Sequence, residues 1–319
     1  MDRRRAVIVV AGEALVDLIV DTLGGLTAVP GGGPFNAART LGLLGADCTY
    51  LGVLAGDHFG ELLRSQLAAA SVKLACPTAT AAPTTLAVAH LDGAGSATYR
   101  FYLEGTSIQM LSGSAARGGM PAEFDALHIG TLGIVVEPTA SVLEQVAVDA
   151  AADHLIMVDP NCRPAIVTDF PAFRDRAIRL MKLADLIKVS VDDVAFLFPE
   201  GGFEDLVADL AEAGKFVVQT AGAGPIDVFA RGRRDVVHPP TGGVVDTVGA
   251  GDIFGATLLW ALTRAGWRKG HDLGLGDLLA AVTTAAVAGH LSCQSPGASP
   301  PSLAELDARL VAGVAGLQD

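Results

Sequence analysis

The chain has 319 residues, half of them hydrophobic, so it can bury a large core without covalent staples. Its formal charge of −13 argues against a nucleic-acid partner, because such partners are met by a basic face that releases counterions. Four cysteines (Cys48, Cys76, Cys162 and Cys293) are scattered without a C-x-x-C pair, which suggests neither a disulfide framework nor a zinc site and fits a reduced, cytoplasmic setting.

The opening MDRRRAVIVVAGEALVDLIV sets a basic start before an apolar run, but Glu13 and Asp17 interrupt that run, so it reads as a first strand and not as a secretion signal. No stretch reaches the roughly 18 uninterrupted apolar residues that a membrane span needs, so a soluble chain is expected. AVIVV, helical PFNAARTLGLLGA, CTYLGVL and helical FGELLRSQLAAA then alternate as β-α-β-α. At 84–104, LAVAH and ATYRFYL flank the turn residues Asp92, Gly93, Ala94 and Gly95, a hairpin that breaks the rhythm as either a lid or a plain edge. The alternation resumes with ALHIGTL, helical EPTASVLEQVAVDAAAD, strand LIMVDP, helical PAFRDRAIRLMKLA, and strands LIKVS and KFVVQT, after which helices dominate. No repeat or linker interrupts this, and the rhythm predicts one α/β unit around a parallel, doubly wound sheet.

Chemistry concentrates at DTVGAGD (246–252), where a small-residue turn runs into the apolar helix IFGATLLWALTRAG beginning near Ala250. Gly249 and Gly251 let backbone approach a ligand, and the unpaired amides of a first helical turn make an anion seat. Asp252 falls in that turn, where its carboxylate could take a proton from an attacking hydroxyl. The alternative is a plain helix cap on an ordinary turn. The seven histidines show no metal-ligand spacing, and Trp260 and Trp267, seven apart, read as packing residues on one helix.

The segment DTVGAGDIFGATLL resembles the second signature of the ribokinase-like sugar kinases, also called the phosphofructokinase B family, and GGGPFNAA (31–38) is similar to its first signature. Between them, DPNCR (159–163) resembles an Asp-x-Asn-x-Arg strand end, and SCQSPGA near the C-terminus extends the likeness over nearly the whole chain. The resemblance implies a single ribokinase-like domain over 1–319: a mostly parallel sheet flanked by helices, with a small β-sheet lid from segments about 12–34 and 84–108. It implies Asp252 as catalytic base, with the Gly249, Ala250 and Gly251 amides stabilising the transferred phosphoryl group. Asp17, Gly32, Gly33 and Asn36 would bind the sugar, Arg100 or Phe101 would close over it, and Asn161 and Arg163 would lie near sugar or phosphates.

On the nucleotide side, Lys188, Ser190, Thr220, Gly222 and Gly224 are the implied contacts. KVSVDD (188–193) falls where the family carries Asn-x-x-Glu, so Ser190 and Asp193 replace the usual pair and shorten the acidic arm meant for Mg²⁺. In TAGAGP (220–225) the second glycine of the Thr-x-Gly-x-x-Gly loop comes one place early. Asp246 and the Val248 carbonyl occupy positions that help hold a monovalent cation, K⁺, in relatives. GEALVDLIV, ATYRFYLEGT, GTLGIVVEP and DPNCRP are together most similar to bacterial fructokinases, so the expected reaction is ATP-dependent, Mg²⁺-assisted phosphorylation of fructose, and lids of this kind often pair into a homodimer. A 2-keto-3-deoxygluconate kinase, with Arg163 gripping a carboxylate, or a ribokinase is the alternative. A nicotinamide-dependent dehydrogenase would also use an α/β sheet and a glycine turn, but its loop follows the first strand, whereas this one opens the last third.

Overall fold

The structure, a computed structural model, describes residues 5–22, 24–91 and 97–315; the turn at 92–95 lies outside them. In chain order the elements are β1 (Val7–Ala11), β2 (Leu15–Val20), β3 (Leu26–Gly31), α1 (Gly33–Leu43), β4 (Asp47–Leu51), α2 (His58–Ala69), β5 (Lys73–Leu74), β6 (Leu86–Leu91), β7 (Ala97–Tyr102), α3 (Gly113–Gly119), β8 (Ala126–Gly130), α4 (Thr139–Ala150), β9 (Leu155–Asp159), α5 (Phe170–Leu183), β10 (Leu186–Ser190), α6 (Val191–Leu197), α7 (Phe203–Glu212), β11 (Phe216–Thr220), β12 (Ile226–Ala230), β13 (Arg233–Val237), α8 (Ala250–Ala265), α9 (Leu275–Ser292) and α10 (Leu303–Ala315).

Among the described residues, nine strands form one sheet in the order β13-β12-β11-β10-β9-β8-β1-β4-β5, parallel except for the antiparallel edge pair β12 and β13. Its central strands are mostly apolar because helices cover both faces, with His128 on β8, Asp159 on β9 and Lys188 on β10 as buried polar exceptions. Ile8, Val10, Met157 and Val218 turn towards the layer of α1, α8 and α9, whereas Val9, Leu127, Ile156 and Val217 turn towards that of α4, α5 and α7. The period-2 alternation of a strand thus feeds two cores. The reading of a doubly wound sheet holds.

Three expectations change. The opening segment is two strands in different sheets: the chain turns at Gly12 to Ala14, and Leu15–Val20 leaves to pair with β3 and β6. That second sheet has the order β3-β2-β6-β7 and stands over the carboxyl ends of β1, β8 and β9. The last third also carries β12 and β13 before its helices. Trp267 lies beyond α8, which Gly266 ends in a left-handed cap (φ 104°), and its ring packs on Phe216 at 5.1 Å. Among the described residues one helix, α9, is long and apolar enough by composition to cross a membrane, yet over half of it is buried inside the fold, chiefly against α8.

Candidate active site

Parallel sheets of this kind bind ligands beyond the carboxyl ends of their strands. A cleft of about 550 Å³ lies there, floored by the ends of β1, β8 and β9 and the N-termini of α1 and α8, and roofed by β2 and β7. A larger hollow, of about 920 Å³, lies near Arg5, Trp260 and Arg268, where α8 ends.

Asp252 stands in the first turn of α8. Its Oδ2 accepts a hydrogen bond from Asn36 Nδ2 at 2.9 Å and its Oδ1 one from Asn161 Nδ2 at 3.0 Å. The first amide comes from α1 and the second from the end of β9, so segments 91 and 216 positions away fix one carboxylate. Asn161 reaches it from a left-handed backbone (φ 38°), a conformation that asparagine tolerates better than most side chains. Gly249 caps α8 at φ 75°, and a Cβ there would collide with Ala298, so this turn needs glycine. No side chain caps α8; the Ala250 amide donates to the Thr247 carbonyl at 3.2 Å, and the amides of Gly251 and Asp252 follow it in the first turn, at residues that line the cleft with Gly249.

Asp17 projects from β2 into the same cleft. Burial pushes its carboxyl up to about 6; the nearby Arg163 guanidinium opposes the shift and Asp252 adds to it. Glu13, at the end of β1, is buried and accepts hydrogen bonds from the Gly133 amide at 3.0 Å, the Gly33 amide at 3.2 Å and the Thr131 hydroxyl. Burial raises it to about 7, with the Thr131 and Gly133 donors pulling the other way and the Asp252 charge adding to the rise. One carboxylate therefore joins the loops after β1 and β8 to the start of α1. The sequence reading used Glu13 only to interrupt an apolar run; the signal it missed is that a charge directly after a buried strand must be paired.

Of the expected residues, the cleft brings together Asp17, Gly32, Gly33, Asn36, Phe101, Asn161, Arg163, Val248, Gly249, Gly251 and Asp252, and adds Glu13, Leu15, Tyr99 and Thr131. Ala250 begins α8 beside them. Arg100 is not among the lining: it lies over the Tyr102 ring at 5.9 Å, while Tyr99 and Phe101 turn inwards, because alternate residues of β7 face opposite ways.

The residues expected to meet a nucleotide lie along the next strands. Ser190 and Thr220 are register partners at the ends of β10 and β11, and Gly222 and Gly224 form the following turn, the Gly224 amide donating to the Ala221 carbonyl at 2.8 Å. Lys188 is buried, and its Nζ lies 3.0 Å from Asp159 Oδ2. Asp193 does not open onto the cleft: it is 3% exposed, accepting from the Cys162 amide at 2.6 Å and, within a capping box, from the Ser190 amide and hydroxyl at 2.8 and 2.7 Å. Asp246 accepts from the Val248 and Gly297 amides at 3.0 and 2.8 Å, tying the turn before α8 to the C-terminal loop.

A helix N-terminus facing an open cleft, with a carboxylate held in its first turn and a second carboxylate opposite, is the equipment of a phosphotransferase that acts on a hydroxyl. The model of the pfkB family carbohydrate kinases matches residues 5–305, and the chain belongs to that family. It is 35% identical over 260 residues to a fructokinase of Rhizobium leguminosarum bv. trifolii, covering 80% of this chain and 79% of that one, and 32% identical over 289 residues to a fructokinase of Klebsiella pneumoniae, covering 88% and 92%. Among solved structures, a fructokinase from Vibrio cholerae O395 with fructose, ADP and calcium ion bound superposes with a TM-score of 0.80 at 25% identity, covering 95% of this chain and 98% of that one. An aminoimidazole riboside kinase from Salmonella enterica shares the fold at 22% identity, with a TM-score of 0.79 over 95% and 99% of the two chains.

Proposed function

We propose that the chain is an ATP-dependent fructokinase. The observation that carries this is the Asp252 carboxylate, held by Asn36 and Asn161 in the first turn of α8 with Asp17 across the cleft. Asp17 and Asn36 take the sugar hydroxyls, with Gly32 and Gly33 giving close backbone approach and Tyr99 and Phe101 covering the ring. Asp252 removes the proton as the acceptor oxygen bonds to the γ-phosphorus; the bond to the β–γ bridging oxygen breaks and its electron pair leaves on ADP. Amides of Gly249, Ala250 and Gly251 carry the charge of the phosphoryl oxygens. Arg163, exposed beside Asn161, offers a fork to an anionic oxygen.

The nucleotide extends over the ends of β10 and β11, towards Ser190, Thr220, Gly222 and Gly224. Among the described residues no three carboxylate, histidine or cysteine groups cluster as a metal cage, so a divalent ion, Mg²⁺ in this reading, would ride on nucleotide phosphates and water and neutralise their charge. Asp193, its oxygens already engaged, fits poorly as a direct ligand. Asp246 and the Val248 carbonyl are the groups that would hold K⁺. The β2-β3-β6-β7 sheet acts as a lid whose closure excludes water. Its outer face shows Leu26 and Tyr102, 63% and 51% exposed, to a second lid in a homodimer. The reduced cysteines fit the cytoplasm.

The test is ATP consumption with fructose, 2-keto-3-deoxygluconate, ribose and adenosine. Fructose should give the highest kcat/KM, and Asp252→Asn should cut its turnover by about 10²–10⁴-fold while calorimetry still detects sugar and ATP binding. A preference for another acceptor, or turnover surviving in the variant, overturns the assignment.

A further inference from the structure

Thr131 stands in a backbone that its own side chain resists. It opens the turn after β8 at φ 53°, in the left-handed region that a branched Cβ rarely enters, and such an outlier persists only where its surroundings impose it. Glu13 imposes it. One carboxylate oxygen accepts from the Thr131 hydroxyl and from the Gly33 amide at 3.2 Å, the other from the Gly133 amide at 3.0 Å, so the turn is gripped at two points and tied to the start of α1. With its hydroxyl committed to Glu13, Thr131 turns its methyl to Gly33. A Cβ placed on Gly33 would lie 2.5 Å from that methyl and 3.1 Å from Asp252 Oδ1. The methyl and the carboxylate oxygen therefore border one corner of the cleft, too narrow for a single added carbon on Gly33, and all three residues line the cleft.

Resting on the sugar-kinase reading above, we propose that Thr131 is a specificity-determining residue, with Glu13 as the positioning residue that clamps it: its methyl closes the corner beside Asp252, so the site takes a hydroxyl carried on an unbranched carbon and rejects one whose carbon bears a further substituent. A primary alcohol has only hydrogens beside its oxygen on that side and lies against the methyl as the oxygen nears Asp252. A secondary alcohol brings a carbon branch into the same corner. The base cannot step aside for it, because Asn36 and Asn161 hold its two oxygens at 2.9 and 3.0 Å. The side chain itself carries the argument. Glycine would adopt this backbone freely but leave the corner open, and serine would keep the tie to Glu13 and leave it open too. Valine would fill the corner but deprive the buried carboxylate of its hydroxyl donor. Threonine fills it and keeps the tie, at the expense of a strained backbone.

The test sets fructose against two analogues that carry one more methyl group, on C1 or on C6, while phosphorus NMR of the fructose product locates the phosphate. The parent should favour fructose over the analogue branched at the phosphorylated end by about 10–200-fold in kcat/KM, the range that one methylene commands in a fitted pocket. Thr131→Ser, which keeps the tie, and Thr131→Gly, which suits the backbone, should each shrink that ratio by about tenfold, with the KM for ATP within about threefold of the parent's. Glu13→Gln should shrink it as well, since its amide cannot accept from every donor the carboxylate serves, and joining it to Thr131→Gly should shrink it no further. A merely structural role would lower the melting temperature and the kcat/KM of every acceptor alike. A ratio unmoved in both Thr131 variants overturns the proposal, as does phosphate on a secondary hydroxyl, and a further loss in the double variant overturns the clamp. A parent that phosphorylates no sugar sinks the kinase assignment, whereas an active parent with an unmoved ratio sinks only the role of Thr131.

Discussion

In the proposed function, Asp17 couples the acceptor site to pH. Burial holds its folded pKa near 6, above the ordinary carboxyl value of 3.8, so the folded protein prefers it protonated. The stability it contributes is therefore present below the unfolded pKa and lost as pH rises through about 6. Sugar binding has the opposite demand, since only the carboxylate accepts two hydroxyl protons. The KM for fructose should accordingly climb as pH falls below about 6. Asp17→Asn should raise the melting temperature at pH 8, with the gain shrinking towards pH 4, while sugar affinity falls far more than ATP affinity. A variant no more stable than the parent at pH 8 contradicts this. The sequence displayed Asp252 because a glycine-rich signature contains it, and Asp17 because the family resemblance implies it. It did not display Glu13, whose meaning lies in three donors from residues 33, 131 and 133, nor the engagement of Asp193 with Cys162, 31 positions away.

β7 shows how one element sorts its own side chains. Its register against β6 places Ala87 opposite Phe101 and Val88 opposite Arg100, so inward and outward residues alternate strictly. Phe101→Ala should raise the KM for the sugar at least several-fold, and Arg100→Ala should leave it nearly unchanged; steady-state kinetics on the two variants read this directly, and equal effects would reject the assignment of faces. Parity could not be set from ATYRFYL alone, because both alternations contain aromatics and only the partner strand fixes which of them meets the cleft. The same lack of context merged β1 and β2. An apolar run broken by Gly12 and Glu13 looks continuous until a second sheet claims its second half. β13 went unseen because RRDVV at an exposed edge lacks the apolar signature of the central strands.

At the scale of the whole molecule, the nine-stranded sheet is a rigid base and the four-stranded sheet a cover joined to it by short connections, 12–14 before β2 and the Gly31–Gly33 turn after β3. Leu127, fully buried on central β8 in the layer of α4 and α5, reports on that base. Leu127→Ala should cost about 2–5 kcal/mol in denaturant titrations while leaving KM values close to the parent's, and a change in KM without a loss of stability would contradict the division of labour. The β-α rhythm of the sequence announced this base, since covered parallel strands read as apolar runs. The cover was less visible, because its strands come from two separated segments and its inner face includes Asp17.

The floor of the cleft has a further consequence. A methyl group on Gly33 would press against Thr131 and Asp252, one on Gly31 against Asp17, and one on Gly249 against Ala298. Two of the residues they crowd, Asp17 and Asp252, are the carboxylates of the proposed reaction. Retailoring this protein for a bulkier sugar ring must therefore carve from above, at Tyr99, Phe101 and Leu15, where removing carbon enlarges the chamber without disturbing the carboxylates beneath it.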